Sequence, residues 1–156
     1  MHSFHSFHKT QLNQRFHLLN PRLQELHLPM VVLENFLTST KEISVQELEY
    51  VPYQRLVLAH LLDEECGGSL KKVLVETLHD RATGALEIST PPDLNKDDLI
   101  KISTAVSHLV GLPNFDSMSG KYYACFDVKD TDNSDSYLRQ AYRLFTLHTD
   151  GTYVEE

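Results

Sequence analysis

Hydrophobic periodicity changes most sharply near Gly111, and that change sets the fold class. Lys96 to Val110 places Leu99, Ile102, Ser103, Val106, Leu109 and Val110 on one helical stripe, with Gly111 as the stop. Beyond the Pro113 loop, Lys121 to Val128 alternates as a strand. Tyr122, Ala124, Phe126 and Val128 share one side, and Tyr123, Cys125 and Asp127 share the other. Tyr142 to Asp150 alternates again. Helices followed by strands predict an α+β chain.

Shorter elements precede the long helix. Val31, Val32, Leu33, Phe36 and Leu37 predict a short helix from Met30 to Leu37, closed by Ser39 and Thr40. Ser44-Val45-Gln46-Glu47 has capping-box spacing, although Pro52 interrupts any helix it opens. From Tyr53 to Glu65, Leu56, Ala59, Leu62 and His60 fall at helical spacing. Gly67-Gly68-Ser69 ends that helix and caps another, whose face is Leu70, Val73, Leu74, Thr77 and Leu78. Gly84 suits a turn, Ala85 to Ser89 predicts a strand, and Thr90-Pro91-Pro92-Asp93 ends it. Residues 1–29 are polar and contain His2, His5, His8, His17 and His27. Three histidines at spacing three drift about 60 degrees around a helix, and no Cys or carboxylate completes a site, so we expect a mobile lead. Residues 30–156 are expected to belong to a single domain.

A chain of 156 residues can bury roughly two-thirds of its unfolded surface. The net charge of −8, with only 14 Lys and Arg, argues against a nucleic-acid partner. No window is long and apolar enough for a membrane span. Cys66 and Cys125 form no Cys-x-x-Cys motif, and no signal-peptide pattern opens the chain, so a cytoplasmic location is expected. The acidic loop Asp130 to Asp135 fails as an EF-hand, which needs Gly at its sixth position and Glu at its twelfth, where Asp135 and Ala141 stand. A solvated turn is the better account.

The candidate chemistry lies in the last predicted strand. Residues two apart in a strand point to the same face, so His148 and Asp150 would project together. An imidazole and a carboxylate are two of the three protein ligands of a facial-triad iron site. Spacing alone does not establish one: with nine His in 156 residues, roughly 0.6 chance His-x-Asp pairs are expected. Arg139 and Arg143 lie nearby and could attract dicarboxylates or simply face solvent.

Residues around the pair narrow the choice. Asn114 to Ala124, Asp132 to Gln140 and Leu147 to Glu156 resemble the carbon-starvation-induced glutarate 2-hydroxylase family. The likeness continues upstream through Leu48-Glu49-Tyr50, Leu61-Leu62-Asp63 and Arg81 to Leu86, and fades before about Met30. It implies a jelly-roll fold, a double-stranded β-helix decorated by helices. It also implies Fe(II), with His148 and Asp150 as ligands, and 2-oxoglutarate as co-substrate. With O2, glutarate would become 2-hydroxyglutarate, a step in lysine degradation, with release of succinate and CO2. The family forms homo-oligomers.

Family members extend beyond this length, and the resemblance places a second iron-binding His and an Arg for 2-oxoglutarate on late strands. Six residues follow Asp150, and none is His or Arg. We therefore expect the N-terminal half of such an enzyme, inactive alone. Two alternatives stay open. One is a non-catalytic module that associates with full-length subunits. The other is a complete metal site that recruits His79 or His108; both read as helix positions, as does His60, and packing or surface roles are expected for all three.

Overall fold

The structure is a computed structural model that describes residues 12–17, 20–113, 115 and 121–123. The chain falls into two units, Met1–Tyr123 and Ala124–Glu156, and every described residue belongs to the first. The order is β1 Asn13–His17, β2 Asn20–His27, α1 Met30–Ser39, α2 Glu47–Tyr50, α3 Pro52–Glu65, α4 Leu70–His79, β3 Ala85–Ser89 and α5 Lys96–Val110. This mixture is the α+β arrangement expected from the sequence. The predicted strand beyond Tyr123, the acidic loop at Asp130–Asp135 and the strand ending at Asp150 lie outside the described residues.

Within residues 1–29 the structure has two strands, β1 and β2. β1 pairs antiparallel with β2, with an irregularity between Phe16 and His17, and β2 pairs parallel with β3. The sheet order is β1-β2-β3. Parallel neighbours need a long crossover, which here contains α1 to α4. Hydrogen bonds from Gly84 N to Arg22 O (2.7 Å) and from Leu28 N to Ser89 O (3.1 Å) tie the two ends of the β2–β3 pair.

Alternation along β2 sends Gln24, Leu26 and then Leu28 inward, while His27 faces out. The partly buried Gln24 satisfies its amide by donating from Nε2 to Thr83 Oγ1 at 3.0 Å. A polar segment is thus held by backbone pairing and by two leucines.

The helices form for local reasons that the sequence displays. Ser44 and Glu47 close a reciprocal capping box: Ser44 N donates to Glu47 Oε2 at 2.9 Å, and Glu47 N donates to Ser44 Oγ at 3.1 Å. Pro52 opens α3 at its first turn, where a missing N–H leaves no helical bond unmade. Gly67 and Gly68 follow α3 with φ of 68° and 70°, a region that disfavours side chains. Asn95 caps α5 by accepting from Asp98 N at 3.0 Å.

The core joins Leu26 and Leu28 to Val32, Leu33 and Phe36 of α1, Leu58 and Leu62 of α3, Leu70 and Leu74 of α4, and Ile102, Ala105 and Leu109 of α5. Two predicted faces are rotated relative to the structure. Leu56 of α3 is 47% exposed, and the buried positions are Arg55, Leu58, Ala59 and Leu62. On α5 the buried set is Ile100, Lys101, Ile102, Thr104, Ala105 and Leu109, while Leu99 and Val110 are exposed. The same-face neighbours of α3 and α5 thereby include charged residues.

Lys101 shows how one such charge is accommodated. Its Nζ donates to Thr40 O at 2.8 Å, at the C-terminal end of α1, where the helix dipole favours a cation. Thr40 itself caps the helix by donating from Oγ1 to Phe36 O at 2.9 Å.

Cys66, 1% exposed at the end of α3, is a chemical probe of this packing. Burial pushes its thiol up to about 12, with Asp63 and Glu65 adding repulsion. Roughly one thiol in ten thousand would then be ionised at pH 8, and only the thiolate reacts. Alkylation of Cys66 at pH 8, followed by peptide mass analysis, is expected to be negligible in the folded chain and complete in denaturant. Rapid labelling of the folded chain would contradict this placement.

Candidate functional site

His148 and Asp150, the sequence-predicted iron ligands, lie outside the described residues, as do Arg139 and Arg143. Among the described residues, the closest in sequence to them are Lys121, Tyr122 and Tyr123. Lys121, Tyr122 and Tyr123 run between α2 and α3, and alternate residues engage opposite partners.

On the α2 side, Glu49 receives two donors. Lys121 Nζ lies 2.7 Å from Glu49 Oε1, and Tyr123 OH donates to the same oxygen at 3.3 Å. The lysine also lies 5.5 Å from the centroid of the Tyr123 ring. The hydrogen bond from Lys121 does most to hold the Glu49 carboxyl below its ordinary range, against an opposing desolvation effect, with the lysine charge and Tyr123 assisting.

On the α3 side, Tyr122 covers Arg55. The guanidinium carbon lies 3.6 Å from the ring centroid, close enough for a cation–π contact. Phe115 meets the same tyrosine with centroids 5.1 Å apart and planes tilted by 59°. Arg55 is 3% exposed, and its Nε has no hydrogen-bond partner.

His108 of α5 is near enough to feel that charge. Its Nδ1 lies 2.9 Å from Thr104 O, which fits a neutral ring donating from Nδ1. Desolvation is the main cause lowering its affinity for a proton; the Thr104 bond opposes this, and Arg55 adds to it.

The other histidines weighed as ligands are dispersed. His60 is exposed with Nε2 3.4 Å from Glu64 Oε1, His79 ends α4 on the surface, and His27 Nδ1 lies 3.1 Å from Ser89 Oγ. Among the described residues, no three His, Cys, Asp or Glu side chains converge as a metal-binding group. No described helix is long and apolar enough to cross a membrane.

Sequence reading missed Arg55 and Glu49 as participants. Arg55 was detectable, because it stands four and seven residues before Ala59 and Leu62 on the buried face of α3. Glu49 carried no comparable signal, since its partners are about seventy residues away in sequence.

An α+β unit that holds residues 121–123 between α2 and α3 is the class these features define. The chain belongs to the CsiD family, whose model matches residues 14–156. It is 48% identical over 140 residues to a glutarate 2-hydroxylase of Citrobacter koseri and, equally, to one of Klebsiella pneumoniae. Each alignment covers 88% of this chain and 43% of the relative, so the chain spans less than half the length of these curated relatives.

Proposed function

We propose that residues 1–156 form part of an Fe(II)- and 2-oxoglutarate-dependent glutarate 2-hydroxylase, with His148 and Asp150 as two of its iron ligands. The observation that carries this is the 48% identity to enzymes named glutarate 2-hydroxylase. The family match runs through the His-x-Asp pair to residue 156.

The donor set fits the metal. Neutral imidazole and carboxylate are the ligand types of facial-triad Fe(II) sites, and a spacing of two suits one face of a strand. Iron, when bound, supplies O2 activation coupled to oxidative decarboxylation of 2-oxoglutarate. Glutarate, 2-oxoglutarate and O2 give 2-hydroxyglutarate, succinate and CO2. A second His and an Arg for the 2-oxoglutarate carboxylate, implied by the family resemblance, would complete the site on a jelly-roll barrel.

Among the described residues, Glu49 and Arg55 hold Lys121, Tyr122 and Tyr123 from two sides. A cytoplasmic homo-oligomer completes the proposal, and two cysteines without a Cys-x-x-Cys spacing suit a reducing compartment.

A chimera tests it. Residues 1–156 joined in frame to the remaining C-terminal part of the Citrobacter koseri relative are expected to yield 2-hydroxyglutarate and succinate in equal amounts, given Fe(II), 2-oxoglutarate, O2 and glutarate. Residues 1–156 alone supply two of three protein ligands and are expected to yield neither. A folded chimera that leaves glutarate unchanged would refute the proposal.

A further inference from the structure

Arg55 is a buried cation that has no carboxylate partner among the described residues. It occupies the inward face of α3 beside Leu58, Ala59 and Leu62, where an apolar side chain would fit the pattern. Among the described residues, its Nε–H donates to no acceptor, and the Tyr122 ring lies against its face. On α5, the titratable group that senses its charge is His108, whose ring bonds to Thr104 O and carries no negative charge.

Burying a charge is unfavourable unless it is paired and hydrogen-bonded, and a cation–π contact offsets only part of that cost. The arrangement nevertheless shapes what could pair with it. A ring 3.6 Å from the guanidinium carbon occupies one face, and the N–H bonds point outward in the guanidinium plane. Phe115 backs that ring. The planar fork of a guanidinium matches a carboxylate with two parallel hydrogen bonds.

We propose that Arg55 is a carboxylate-binding residue whose ligand is a small dicarboxylate. Its identity as a dicarboxylate rests on the proposed glutarate chemistry; the unpaired cation does not. Withdrawn from water beside Tyr122, the pair would be stronger than at an exposed surface. Specificity would come from the fork, which a lysine cannot reproduce.

The test uses the 156-residue chain in EDTA, so that iron binding plays no part. Thermal unfolding is followed by circular dichroism with glutarate, 2-oxoglutarate or sulfate at matched ionic strength. The expected result is a saturable rise in midpoint with glutarate or 2-oxoglutarate, the two arms showing which is preferred, and none with sulfate. Arg55→Met should lose that rise while unfolding, without anion, at a midpoint equal to or above that of the parent. Arg55→Lys should require at least tenfold more dicarboxylate. A response retained by Arg55→Met, or an equal response to sulfate, would overturn the proposal. So would a parent insensitive to dicarboxylates whose Arg55→Met variant is less stable, because that pattern assigns the charge to pairing within the chain. Failure here leaves the chimera experiment unaffected, and failure of the chimera leaves dicarboxylate binding in EDTA intact.

Discussion

Replacement of Phe36 by alanine is expected to lower folding stability by about 3–5 kcal/mol. The ring is 0% exposed within the α1 part of the core, alongside Val32 and Leu33. Its removal forfeits transfer energy and opens a cavity that neighbours fill only as far as they can move. Here movement is restricted, since Thr40 bonds back to Phe36 O and Lys101 bonds to Thr40 O, which fixes the end of α1 against α5. The loss should therefore lie towards the upper part of that range. Total stabilities of about 5–15 kcal/mol make this a large fraction of what holds the fold together. Urea unfolding followed by circular dichroism measures it as a fall in midpoint with little change in slope. Leu56→Ala is the control, because the sequence stripe placed Leu56 inside and the structure leaves it 47% exposed. Its expected change is within about 0.5–1 kcal/mol. Equal losses at the two positions would mean that α3 is rotated from the face described above.

Local chemistry made several elements legible. The limits of α5, the Ser44 to Glu47 capping box and the Ala85 to Ser89 strand all follow from spacing, caps and punctuation along the chain. The orientation of the helices was less legible. Leu99 and Val110 share an approximate 3.6-residue stripe with Ile102 and Leu109, but so do Lys101, Thr104 and Ala105 when the face is turned slightly. Apolar patterning favours the first choice, whereas the structure buries polar residues that find partners, as Lys101 does with Thr40. β1 and β2 left still less trace. Their composition is polar, and β2 takes its parallel neighbour from Ala85 to Ser89, so the pairing that stabilises them is not a local property. The same physical reason hid the Glu49 contact with Lys121 and Tyr123. For the candidate iron site, the residue types and the spacing of two in His148 and Asp150 were legible along the chain. The family match extends across both positions.

In the active chimera, His148→Ala and Asp150→Ala are each expected to reduce glutarate turnover by more than about a hundredfold. Losing even an outer support of a metal ligand commonly costs about 10–100-fold in affinity or activity, and removal of a ligand should exceed that. The two substitutions separate chemically. His148→Ala deletes a neutral donor, whereas Asp150→Ala also removes a negative charge that offsets the metal's, so the second should weaken metal binding more. Titration with Co(II) as a spectroscopic probe reads affinity, and succinate formation reads turnover. Circular dichroism checks that each variant remains folded. His79→Ala and His108→Ala provide the decisive comparison, because each was weighed as an alternative third ligand. His79 ends α4 on the surface, and the Nδ1 of His108 lies 2.9 Å from the Thr104 carbonyl. Neither substitution should change Co(II) affinity by more than about twofold, since neither deletes a proposed ligand or its support. A collapse at His108 matching that at His148 would relocate the metal to α5, because a packing defect would disturb unfolding and affinity together, whereas loss of a ligand removes affinity from a chain that still folds.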